Sequence, residues 1–231
     1  MNGGDTDQPH HGTGHRARLR ERLLRGGGDA LLDHELIEYL LCLAIPRRDT
    51  KPLAKRLLAE FGGIGPLLTA GPDALARVEG VGESALAAIK LAQAIAVRTL
   101  REQVMAKPVL GSWDALLAYL RADMAHRNTE CVRVLHLNTK NHLIRDEVMS
   151  EGSIDTAHLY TREVIRRAIE LGSAAIILVH NHPSGDANPS RADIALTREI
   201  ADAGKIMGVD VHDHVIVAAG ECRSMRAMGL V

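Results

Sequence analysis

The segment His180-Asn181-His182-Pro183-Ser184-Gly185 sets two imidazoles two positions apart, at the end of the apolar run Ala174 to Val179. Strand side chains alternate between faces, so His180 and His182 point one way and Asn181 the other. Two imidazoles on one face can share a metal ion. Pro183, Gly185 and Pro189 turn the chain out of the strand, and Asp193 falls in the first turn of the next helical pattern. Its carboxylate can complete a His2Asp set. Three protein ligands leave a fourth tetrahedral position for water, the mark of a catalytic zinc site. Zinc held this way lowers the pKa of its water toward about 7 and polarises a carbonyl. A plainer reading uses the same residues. Ser190 and Asp193 fit a capping box, and His-x-His at a strand end is often a satisfied polar pair. Their coincidence, with ten residues between His182 and Asp193, favours the metal.

Such a site needs a frame. A helix starts near Ser112 ("SWDALLAYL"), and strands follow at "ECVRVLHL" and "HLIRDEVM". A helix from Thr161 ends at Gly172, the apolar strand "AAIILVH" leads to the Pro/Gly loop, and "SRADIALTREIADAG" is helical again. The chain finishes on the strand "VDVHDHVIVAA". An apolar run such as Ala174 to Val179 is a central strand covered on both faces. Mixed α/β with helices flanking a sheet is the architecture expected.

The first half is helical throughout, from Arg16 to about Glu102. Leu36, Ile37, Leu40 and Leu41 recur at helical spacing after Asp33, the expected N-cap. A helix through Pro52 and Leu57 ends at Gly62-Gly63, and Gly80-Val81-Gly82 separates a short helix from a long Ala-rich one. Val104 to Gly111 carries Pro108 and lacks a period. The boundary is placed there, between a helical domain, 16–104, and an α/β domain, 109–231. Residues 1–15 read as a disordered polar tail; His10, His11 and His15 could bind metal loosely, but a flexible end is the plainer account.

Composition narrows the function classes. Of 231 residues, 46% are apolar, which excludes wholesale disorder, and only 2% are aromatic, which weakens any scheme of base stacking. A net charge of −1 leaves little for tight, charge-driven nucleic-acid binding. Cys42, Cys131 and Cys222 form no CxxC pair, so neither a disulfide framework nor a thiolate cage is expected. No signal-peptide core or membrane-spanning stretch is present, and a soluble cytoplasmic protein is expected.

The order His-x-His, seven residues, Ser, two residues, Asp resembles the JAMM (MPN+) metalloprotease motif. The wording "IILVHNHPSGDANPSRADIALT" is more specifically similar to the RadC family, with "REVIRRAIELGSAAI", "DHVIV", "RERLLRGG" and "LLAEFGG" in support. The resemblance covers most of the chain. It implies a JAMM/MPN-type, cytidine-deaminase-like mixed sheet flanked by helices, with one Zn2+ held by His180, His182 and Asp193. It also implies that Ser190 supports the oxyanion of a tetrahedral intermediate, and that Glu130, matching the family's glutamate, is the catalytic base. Glu151 is the rival base. The sequence departs from commoner family wording at Asn138 and at Leu159-Tyr160-Thr161, which puts substrate contacts in doubt. His212 and His214 read as structural or supporting residues, Asp186 as a surface turn residue, and Arg162-Glu163 as a helix-end pair.

Gly80-Val81-Gly82 resembles a helix-hairpin-helix turn, whose backbone N–H groups grip DNA phosphates. Val78 and Val81 would fill the core beneath it, and Ala85 would allow close packing. Glu79 and Glu83 disfavour phosphate, while Arg16, Arg18, Arg20, Arg22 and Arg25 could add contacts or form a solvated face. The leading expectation is a zinc metallopeptidase or isopeptidase-like hydrolase acting on a peptide or protein. The alternative is a repair-linked accessory protein that binds DNA through Gly80 and Gly82, with a structural or vestigial zinc site. A metal-dependent nuclease is the third reading, and it would gather more carboxylates than this motif offers.

Overall fold

The computed structural model describes residues 11–152, 160–219 and 221–231, with side chains from residue 14 onward. It divides into two compact units, one ending at Ala92 and the other beginning at Gln93.

The first unit is helical: α1 (His11–Gly26), α2 (Asp33–Ala44), α3 (Lys51–Phe61), α4 (Ile64–Thr69), α5 (Pro72–Ala76) and the first part of α6 (Glu83–Met105). Its core is aliphatic, built on Ile37, Leu41, Leu53, Leu57, Leu67, Leu75 and Ile89. Two expectations need correction. His11 to His15 belong to α1 and not to a tail, and His15 Nε2 lies 2.9 Å from the buried carboxylate of Glu38. His10 lies outside the described residues. Leu32, not Asp33, is the N-cap of α2, because Glu35 reaches back to accept the Leu32 N–H at 2.9 Å. By contacts the chain divides inside α6, and Val97, Leu100 and Val104 pack into the second unit's core.

The second unit continues with α7 (Trp113–Met124), β1 (Glu130–Leu137), β2 (Leu143–Gly152), α8 (Thr161–Glu170), β3 (Ala175–Asn181), α9 (Arg191–Ile206), β4 (Asp210–Val217) and β5 (Cys222–Ser224). The five strands form one sheet, in the order β2-β1-β3-β4-β5, with β3 and β4 parallel and the other neighbours antiparallel. The mixed α/β architecture is as expected. β5, three residues long, had no counterpart in the sequence reading.

β3 is buried along its whole length, as a central strand must be. On one face Cys131, Leu135, Leu137, Ile177, Val179 and Val215 pack against α7 and the end of α6. On the other, Val134, Ile176 and Leu178 pack against Val164, Ala168 and Ile200 of α8 and α9. At the C-terminal end of α9, Gly204 lets the chain turn tightly into β4, since an added Cβ would run into the Val209 carbonyl oxygen.

Candidate metal centre

The alternation along β3 places His180 on the face that carries Ile176 and Leu178, toward α8 and α9. His182 leaves the strand, but its N–H still bonds the Val217 carbonyl at 2.9 Å, which holds the loop to the sheet. Gly185, at φ 86°, turns the chain back, and the fully buried Ala187 anchors the loop against Ile216, Ala218 and Met225. Asp186 makes the turn expected of it, accepting from Asn188 at 2.9 and 2.8 Å.

His180, His182 and Asp193 come together, with one ligand atom from each lying within 4.8 Å of the others. The two Nε2 atoms are 2.7 Å apart, Asp193 Oδ1 is 3.5 Å from His180 Nε2, and Oδ2 is 3.8 Å from His182 Nε2. The capping box and the ligand set are one arrangement. Ser190 Oγ accepts from Asp193 N at 3.1 Å, and Asp193 Oδ2 accepts from Ser190 N at 2.7 Å, which turns the carboxylate toward the histidines.

Electrostatics favour this set. Burial pushes the His180 imidazole down to about 4, so it is neutral and able to ligate near neutral pH. Burial would raise the Asp193 carboxyl, but His180 and the Ser190 hydrogen bonds outweigh it and hold the group below the ordinary carboxylate range. His182 Nδ1 lies 2.6 Å from the Asp186 carbonyl oxygen, which can only accept. In a neutral ring its hydrogen is therefore on Nδ1, and the Nε2 lone pair faces the cluster. Two imidazoles and a carboxylate with an accessible side fit a zinc ion with an open position.

Glu130 opens β1 on the same face as His180, since Val132 pairs with His180. Burial raises its carboxyl above the ordinary range, His182 opposes the shift and Asp193 adds to it. Glu151 is the contrast: it pairs with Cys131 on the α7 face and bonds Arg127 at 3.2 Å, so it points away from the ligands. Ser190 is exposed, and its Oγ accepts from Asp193 N at 3.1 Å.

The second His-x-His splits. His212 Nε2 is 2.8 Å from Asn141 Oδ1, away from the ligands, whereas His214 Nε2 is 2.7 Å from His180 Nδ1. Arg162 and Glu163, 3.4 Å apart, form a surface pair on α8. Asn138 closes the β1–β2 turn through Lys140 and His142, at the far end of β1 from Glu130, so that departure is a matter of a turn. Leu159 lies outside the described residues. Sequence reasoning missed Thr197, behind His214, and Asn181, whose amide bonds Cys131 N at 2.8 Å and the Thr129 carbonyl at 3.1 Å, on either side of Glu130.

In the first unit, Gly80 takes φ 97° and Gly82 does not. Val78 and Ala85 are buried beneath the turn. Arg48 bonds the Gly80 carbonyl at 3.0 Å and Arg56 the Glu79 carbonyl at 2.9 Å, so both guanidinium groups brace the turn itself. Arg22 is held by Glu35 at 2.7 and 2.8 Å.

A mixed sheet flanked by helices, with a His-His-Asp cluster at the end of its central strand, is the metalloprotease-like arrangement of a JAB domain. Residues 110–230 match the family model described as RadC-like JAB domain, and residues 13–102 match the one described as UPF0758 N-terminal. A UPF0758 protein of Rhodobacter capsulatus is 50% identical over 213 residues, covering 92% of this chain and 100% of its own. Another, of Ruegeria pomeroyi, is 49% identical over 215 residues, covering 93% and 96%. The chain belongs to the RadC-like UPF0758 family.

Proposed function

We propose that the second unit is a zinc-dependent hydrolase of amide bonds, a metallopeptidase or isopeptidase. The observation that carries the reading is the convergence of His180, His182 and Asp193 within 4.8 Å, on the face that also carries Glu130. Zinc held by those three residues would supply a Lewis acid that acidifies water and polarises an amide carbonyl. Glu130 takes the proton from the attacking water, and its burial-raised carboxyl keeps that proton long enough to deliver it to the leaving amine. Ser190, exposed beside Asp193, turns its hydroxyl to the developing oxyanion, a contribution of about 3 kcal/mol in comparable sites.

A peptide library read by mass spectrometry tests the reading. Zinc-loaded protein is expected to cleave members of the library, and chelation to stop it. Glu130→Gln should keep the zinc and lose at least about 100-fold in turnover, while Glu151→Gln should turn over normally. Cleavage that persists in Glu130→Gln would overturn the assignment.

A further inference from the structure

Behind His180 runs a chain of hydrogen bonds that ends on a second ligand. His180 Nδ1 is 2.7 Å from His214 Nε2, His214 Nδ1 is 2.6 Å from Thr197 Oγ1, and Thr197 Oγ1 is 2.5 Å from the Asp193 carbonyl oxygen. His180, His214 and Thr197 are all buried. A carbonyl only accepts, so the Thr197 hydrogen lies on the bond to Asp193. The hydroxyl then has only lone pairs to offer His214, whose hydrogen must sit on Nδ1. A neutral imidazole has one N–H, so His214 Nε2 is bare and accepts from His180 Nδ1. The lone pair of His180 is left on Nε2, aimed at His182 and Asp193. Reversing the chain would set two oxygen acceptors 2.5 Å apart with no hydrogen between them.

His182 ends in the same way, on the Asp186 carbonyl. Both outer chains therefore stop at acceptors, and both inner nitrogens are bare while standing 2.7 Å apart. Two facing lone pairs beside a carboxylate repel one another unless a cation lies among them.

We propose that His214 and Thr197 are positioning residues for the metal ion, holding His180 in the tautomer that presents Nε2 and tying it to the backbone of Asp193. The proposal rests on the zinc reading above. It explains why a threonine stands four residues after Asp193: one hydroxyl serves the helix that carries one ligand and the ring that orients another. Outer partners of this kind affect metal affinity by about 10- to 100-fold.

Nitrogen-15 NMR of the full chain with labelled histidines tests the relay, both zinc-free and zinc-loaded. The hydrogens of His180 and His214 are expected on Nδ1 in both states. In chelator competition, Thr197→Val should weaken zinc about 10- to 100-fold, and Thr197→Ser, which restores the hydroxyl, should match the parent. A hydrogen on His214 Nε2 in a parent that binds zinc overturns the relay and leaves the hydrolase reading standing. Equal affinities for the Val and Ser variants overturn it as well. The expected tautomers in a parent that takes up no zinc overturn the hydrolase reading, and with it the role given to His214.

Discussion

Glu130 owes its chemistry to two neighbours and a strand end. It lies where β1 begins, on the ligand face, and burial raises its carboxyl above the ordinary range. In zinc-free protein that shift has a thermodynamic sign. Ionising Glu130 costs more in the folded chain than in the unfolded one, where its pKa is about 4.3. The stability of the neutral form is complete below that value and is lost as pH rises through the folded pKa. Zinc-free Glu130→Gln, which cannot ionise, should therefore melt at a higher temperature than the parent above about pH 4.3 and at the same temperature below it. A lower melting temperature at neutral pH would refute the burial argument. The three candidate ligands were legible because one short stretch of chain carries them all. His214 and Thr197 were not, because their meaning lies in contacts between separate elements: a second His-x-His has no direction until β4 is laid beside β3.

Elements position Glu130 as much as residues do. The β1–β3 ladder pairs Val132 with His180, and the Asn181 side chain extends the join to both sides of Glu130. Asn181→Leu keeps much of the volume but leaves the buried Cys131 N–H without its partner, at a cost of about 1–3 kcal/mol. Thermal melts should register that loss. Peptide turnover should fall while zinc content holds, because the ligands lie on the opposite face from Asn181. Full turnover in a destabilised Asn181→Leu would show that the amide braces the fold and not the base. Strand and helix types followed from periodicity, and β3 from its unbroken apolar run. The N-cap of α2 did not, since it depends on Glu35 reaching back to Leu32. The short β5 was hidden for the same reason: its pairing with β4, not its three residues, makes it a strand.

At the scale of the molecule, two units with separate aliphatic cores share one chain, and α6 crosses the division between them. The sequence break at Pro108 falls just after α6 has ended. Among the described residues no helix is long and apolar enough to cross a membrane. Cys42, Cys131 and Cys222 are free thiols, and the His-His-Asp cluster is the group found among the described residues that could hold a metal ion. Everything proposed for the second unit depends on that cluster holding zinc. The direct test is metal content by mass spectrometry on untagged protein, comparing the parent with His182→Ala, a change at a partly exposed ring that the fold should tolerate. About one zinc per chain in the parent, lost in the variant, is the predicted result for a His2Asp site. A well-folded parent that stays metal-free after zinc is supplied would contradict the account at its first step.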